Sequence, residues 1–158
     1  NVSRQRYTKG DFTDMAIALQ KKYNIPPFLI EFEIVESVFI ENTDTIVNTT
    51  NQLRSYGFLV SVDDFGSGYS SLTTLNELKF TTVKLDKSLI DYIAKPRGMK
   101  IVRQTIDLGH GLDMKVVAEG VETKEQRDCL IEMNCDEIQG FYYSKPLKQD
   151  DFIEKLRA

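Results

Sequence analysis

The sequence predicts an α/β fold with a parallel sheet and helices outside it. Three observations carry this. Apolar stripes at helical spacing alternate with short β-branched runs from one end of the chain to the other. About five such βα units follow one another through short connections. No linker or low-complexity stretch divides the 158 residues, so they form one unit. The pattern fits either a doubly wound sheet or a TIM-type (β/α)8 barrel.

Phe12, Met15, Ala16 and Leu19 recur at helical spacing. Pro26-Pro27 breaks that helix, and Phe28 to Val35 reads as a buried strand. Ile46, Val47, Thr50 and Leu53 mark the next helix, with Gly57 as its C-terminal cap. Phe58 to Val62 is a second strand, Ser70 to Leu78 a short helix, and Thr81 to Leu85 a third strand. Lys100 to Leu112 is helical and Lys115 to Ala118 a short strand. Thr123-Lys124-Glu125-Gln126 has the form of a capping box, opening a helix that ends near Met133 with Asn134 turning left-handed. Asp136 to Gly140 is the last strand, and Asp150 caps a final helix to Leu156.

Composition narrows the function. The net charge of −4 leaves no polycationic surface to grip a nucleic-acid duplex. No apolar run is long enough to span a membrane, so no direct membrane insertion is expected of this segment. Cys129 and Cys135 lack metal-ligand spacing and read as reduced packing residues of a cytoplasmic protein, or of the cytoplasmic part of a membrane-anchored one.

Polar residues fall where the apolar runs stop. Glu33 lies in the first strand, Asp63-Asp64 follow the second, and Lys84 and Asp86 alternate with apolar residues of the third. Glu119 follows the fourth, Gln139 lies in the fifth, and Asn1 opens the chain. In a parallel barrel the carboxyl ends of the strands converge on one face, where active sites sit. A single strand-end acid is commonly a cap or a solvated loop residue. Several in successive units would repel one another unless cations bind between them. An all-oxygen donor set suits Mg²⁺ or Mn²⁺.

Six segments together resemble the EAL family of cyclic di-GMP phosphodiesterases. They are Asn1-Val2-Ser3, Phe32-Glu33-Ile34-Val35-Glu36-Ser37, Asp63-Asp64-Phe65-Gly66-Ser67-Gly68-Tyr69-Ser70-Ser71-Leu72, Val83-Lys84-Leu85-Asp86, Ala118-Glu119-Gly120-Val121-Glu122-Thr123, and Gln139-Gly140-Phe141-Tyr142-Tyr143-Ser144-Lys145-Pro146. They run in family order along nearly the whole chain.

The resemblance implies a modified TIM barrel that hydrolyses cyclic di-GMP to linear pGpG with two Mg²⁺ or Mn²⁺ ions. Asn1 and Glu33 resemble ligands of the first ion, Asp63 the bridging carboxylate, and Asp64 and Glu119 groups at the second. Lys84 resembles the lysine that holds the attacking water, with Glu119 and Gln139 also on the catalytic side. Gln139 and Pro146 would line the substrate site. Glu36 resembles the carboxylate anchoring the loop after Asp64, and Asp86 and Glu122 would support the site from behind. The loop from Phe65 to Ser70 resembles the family's dimer-linked regulatory loop, which implies a homodimer; fusion to sensory or GGDEF domains is also expected.

Ser67 stands where the family usually has Thr, and a hydroxyl remains. The Glu-Ala-Leu tripeptide that names the family is nowhere in the chain, and the first residue is not Met. The expectation is therefore that residues 1–158 are the C-terminal three quarters of a single EAL domain, whose first strands precede Asn1. The alternative is a catalytically inactive relative serving as a cyclic di-GMP sensor or interaction scaffold.

Other readings have less behind them. Asp64-Phe65-Gly66 is also a kinase signature, but no Gly-rich loop, Val-Ala-Ile-Lys or His-Arg-Asp accompanies it. Lys84 taken alone reads equally as an interior ion pair to Asp63 or Asp86. His110 reads as a cap or surface residue, and Phe141-Tyr142-Tyr143 as barrel packing.

Overall fold

A computed structural model of the chain describes residues 2–36, 38, 43–66 and 78–157. Five strands form one sheet in the order β1 (Glu31–Val35), β2 (Leu59–Phe65), β3 (Thr82–Leu85), β4 (Lys115–Ala118) and β5 (Glu137–Ile138). Every neighbouring pair is parallel. Helices α1 (Arg4–Tyr7) and α2 (Phe12–Tyr23) precede β1, and α3 (Thr43–Tyr56) joins β1 to β2. Helices α4 (Lys87–Asp91) and α5 (Pro96–Gly111) join β3 to β4, α6 (Lys124–Glu132) joins β4 to β5, and α7 (Gln149–Arg157) follows.

Strand order decides between the two architectures open at the sequence level. A doubly wound sheet reverses its order at a switch point. Here the strands are laid down strictly in sequence, and right-handed crossovers then put every connecting helix on one side. That is an arc of a TIM-type barrel.

The two faces of the arc differ as period-two alternation requires. Ile34, Val60, Val62, Val83, Leu85, Val116 and Ala118 are buried in the core shared with the helices. At Gly109 of α5, an added Cβ would come within 2.6 Å of Val116 and 3.2 Å of Val83, so the helix backbone lies almost on the sheet. Val102 and Ile106 of the same helix are fully buried, each contributing on the order of 2 kcal/mol. Ser61, Asp63, Thr82 and Lys84 alternate with the core residues and face the barrel interior, and all four are buried.

Several element boundaries differ from the sequence expectation. The first strand begins at Glu31, because Pro27–Leu29 forms a 3-10 turn closed by Ile30 N–H donating to Pro27 O at 2.9 Å, and this leaves Phe28 and Leu29 exposed. The second strand continues through Asp63 and Asp64 to Phe65. Helix α5 begins at Pro96, whose ring suits the first helical position, four residues before the expected Lys100. The last strand shrinks to Glu137 and Ile138. Asp150 lies inside the first turn of α7, where its charge favours the helix dipole without capping it. The expected helix from Ser70 to Leu78 falls outside the described residues apart from Leu78. Gly57 (φ 102°), Asn134 (φ 57°) and the reciprocal capping box of Thr123 and Gln126 are found as expected.

Phe141 and Tyr143 are half exposed, because the chain turns outward after β5; Tyr142 alone packs inward, its hydroxyl accepting from Arg127 at 3.1 Å. His110 lies in the last turn of α5, its Nε2 2.8 Å from Asp136 Oδ2, which also accepts the Val116 N–H at 2.8 Å. Both cysteines are free, and burial pushes the Cys135 thiol up to about 11. Among the described residues no helix is long and apolar enough to cross a membrane.

Candidate metal and catalytic site

The site is built on four adjacent strands. Glu33 belongs to β1, Asp63 and Asp64 to β2 and Lys84 to β3, and Glu119 follows the last residue of β4. The Glu119 N–H donates to Leu85 O at 3.1 Å, which fixes the end of β4 beside β3.

Consecutive residues of a regular strand point to opposite faces, so Asp63 and Asp64 could not both serve one site. A bulge resolves this. Val62 pairs with Val83 and Phe65 with Leu85, so Asp63 and Asp64 together stand opposite Lys84. Asp64 takes φ 57°, and its N–H donates to Asp63 Oδ1 at 3.1 Å. The bend brings carboxylate oxygens of Asp63, Asp64 and Glu119 within 4.8 Å of one another.

Lys84 sits among them, only 8% exposed. Its Nζ lies 2.7 Å from Glu33 Oε1, 2.7 Å from Glu119 Oε1 and 3.4 Å from Asp63 Oδ1. Burial alone would favour loss of the lysine proton. The bonds to Glu119 and Glu33 outweigh burial and hold the ammonium above the ordinary lysine range. Asp86 is not among its partners; that side chain caps α4, accepting the Ser88 N–H at 2.9 Å.

The carboxyls carry the opposite strain. Burial raises Glu119 above the usual carboxylate range, with Lys84 opposing. Asp64 is raised by burial and then by the charges of Asp63 and Asp86. Asp63 is buried, Glu119 partly buried and Asp64 exposed, and such a mutually repelling set of oxygen donors, open to solvent on one side, is what a hard divalent cation relieves, so these residues fit Mg²⁺, Mn²⁺ or Ca²⁺.

The sign of the pH effect follows. A carboxyl with a raised folded pKa binds its proton more tightly in the folded chain, so stability falls as pH rises through that window. Metal-free protein is therefore expected to melt higher near pH 5 than at pH 7, the lower value lying just above the ordinary carboxylate range. The Glu119→Gln variant should show a smaller difference in thermal scans at the two pH values. An equal difference in both proteins would contradict the assignment.

Other residues expected at the site fall around it. Glu36 is buried at 2% exposure, and its Oε2 accepts the Gly66 N–H at 3.2 Å. Glu122 is half exposed and pairs with Lys87 at 3.1 Å on the rim. Gln139 is exposed beyond β5; with Pro146, Phe141 and Phe152 it lines a cavity of about 520 Å³. Asn1 lies outside the described residues, although the Val2 N–H donates to Glu33 O at 2.9 Å. Most of the expected regulatory loop, residues 67–70, is likewise outside them. Two residues escaped the sequence reading. Ser61, on the interior face two residues before Asp63, has a fully buried Oγ with no hydrogen-bond partner among the described residues. Leu89 packs against Gly66. Neither carries a signal in a single sequence.

Comparison with known proteins follows the same lines. The family model described as EAL domain matches residues 1–146. The cyclic di-GMP phosphodiesterase NbdA of Pseudomonas aeruginosa is 41% identical over 130 residues, covering 82% of this chain and 17% of that protein. The crystal structure of the EAL domain of Mycobacterium smegmatis DcpA superposes with a TM-score of 0.94 at 33% identity, covering 99% of this chain and 71% of that one. The manganese/cy-diGMP complex of Klebsiella pneumoniae BlrP1 gives a TM-score of 0.82 at 29% identity, covering 89% and 36%. The chain spans about a fifth of the length of curated relatives it matches, 23%, 19% and 20% in three of them. With a bulged pair of aspartates, a buried lysine and Glu119 on successive strands of a matching barrel arc, this chain belongs to the EAL domain family.

Proposed function

We propose that the chain provides the catalytic face of a phosphodiesterase that hydrolyses cyclic di-GMP to linear pGpG in bacterial second-messenger signalling. The observation that carries this is the cluster of Asp63, Asp64 and Glu119, with the Lys84 ammonium paired to Asp63, Glu119 and Glu33. Relatives of the same family are named for cyclic di-GMP hydrolysis, and one neighbour holds the dinucleotide with manganese.

Asp63, Asp64 and Glu119 would hold Mg²⁺ or Mn²⁺, with Glu33 and Asn1 as ligands of a second ion. Bound divalent ions neutralise the phosphodiester charge and lower the pKa of water. The remaining steps fall to side chains of this chain. Lys84, with Nζ among Glu33, Asp63 and Glu119, would donate a hydrogen bond from Nζ to the attacking oxygen. Glu119, whose Oε1 lies 2.7 Å from the Lys84 Nζ, would accept the water's proton. The new P–O bond forms as the P–O ester bond to the ribose breaks. The ester oxygen leaves with that electron pair and is then protonated. Gln139 and Pro146 would line the substrate beyond β5. Asp86 and Glu122 would act at a distance, through the α4 cap and the pair with Lys87.

The test is incubation of the purified protein with cyclic di-GMP and Mn²⁺ or Mg²⁺, followed by chromatography. Appearance of pGpG, abolished by EDTA and restored by Mn²⁺, is the expected result. Tight binding of the dinucleotide without turnover would replace the enzyme with a sensor of the same ligand.

A further inference from the structure

The bulge that brings Asp63 and Asp64 together ends at Gly66, and two side chains from distant parts of the chain meet there. Glu36 accepts the Gly66 N–H from one side. Leu89 of α4 packs so closely that a Cβ on Gly66 would overlap Leu89 Cδ1. Gly66 itself has φ 99°, a conformation that only glycine adopts without strain. Leu89 is itself half-buried, packed against the hydrophobic core. It forms one wall of an apolar cavity of about 410 Å³ with Tyr92, Lys95, Arg97, Gly98 and Ile101.

We propose that Leu89 is a positioning residue for the metal site, the apolar half of a clamp on Gly66 whose polar half is Glu36. It touches neither metal nor substrate. It limits how far the bulge can relax, and a ligand set works only when its oxygens are held within about 0.5 Å of their places. Glu36 alone fixes one hydrogen-bond direction, whereas Leu89 blocks movement toward α4. The helix that carries Leu89 is itself fixed by the Asp86 cap directly after β3. The wall is therefore tied to the strand that bears Lys84.

This inference rests on the metal reading, and its test separates the two. Metal-free protein is titrated with Mn²⁺ and free ion is followed by electron paramagnetic resonance. Leu89→Ala should weaken Mn²⁺ binding about tenfold and lower kcat, with KM for cyclic di-GMP changed less than threefold. Leu89→Met should restore affinity to within threefold of the parent. Val102→Ala removes buried apolar atoms from α5 and should lower Tm while leaving Mn²⁺ affinity unchanged. Parent-like affinity in Leu89→Ala, or an equal loss in Val102→Ala, overturns the role of Leu89. Parent-like affinity in Asp63→Asn overturns the metal reading itself. Should Leu89→Ala fail to fold, Leu89→Val is scored by the same criteria, with a smaller loss expected.

Discussion

Replacing Lys84 with Met is expected to lower turnover by on the order of 10³-fold, the usual contribution of a positioned proton-donating group. The same change should destabilise the metal-free protein by about 3 kcal/mol, because it removes a buried ammonium 2.7 Å from Glu33, 2.7 Å from Glu119 and 3.4 Å from Asp63. Met fills the stem volume, so the loss is one of charge and hydrogen bonds. Added Mn²⁺ should recover much of the stability and none of the turnover. Urea unfolding with and without Mn²⁺, run beside the hydrolysis assay, separates these effects. Turnover within tenfold of the parent would remove Lys84 from the mechanism and leave it an interior ion pair.

Asp63→Asn should show the reverse pattern. The amide is nearly isosteric and Lys84 keeps Glu33 and Glu119, so metal-free stability should stay within about 1 kcal/mol of the parent. Mn²⁺ affinity should fall by about 100-fold, because Asp63 is the most buried of three acids whose oxygens lie within 4.8 Å of one another. Hydrolysis should drop to background at any practical Mn²⁺ concentration. Calorimetric titration of the metal into both proteins measures the difference directly. Equal affinities would mean that the acids around Lys84 serve folding alone.

The alternation of βα units was legible in the sequence because its periodicity is strong, and the strand-end acids were legible because each follows an apolar run. The bulge was not. It exists only in the register between β2 and β3, and alternation along one strand assigns Asp63 and Asp64 to opposite faces. The partners of Lys84 were half legible: Asp63 was foreseen, Asp86 turned out to cap a helix, and Glu33 and Glu119 come from strands 51 residues before it and well after it. Asp86-Lys87-Ser88 does carry a cap signal, an acid two residues before the N–H it accepts, and α4 could have been found from it. Pro26-Pro27 was read correctly as a break, but the 3-10 turn after it costs the first strand three residues that apolar composition had assigned to it.

Because the strands follow chain order, the four elements that carry Glu33, Asp63, Lys84 and Glu119 are neighbours in the sheet and close in sequence only to the next one along. An ion held by carboxylates from β2 and from the end of β4 would therefore tie together strands that are not neighbours, like a rivet through three planks. At a concentration 100 times its Kd it would add about 2.7 kcal/mol against unfolding. Chelation should then do more than stop the chemistry: it should loosen the sheet sideways, and protease cleavage between β2 and β4 should report the metal load of the protein before any assay of its product does.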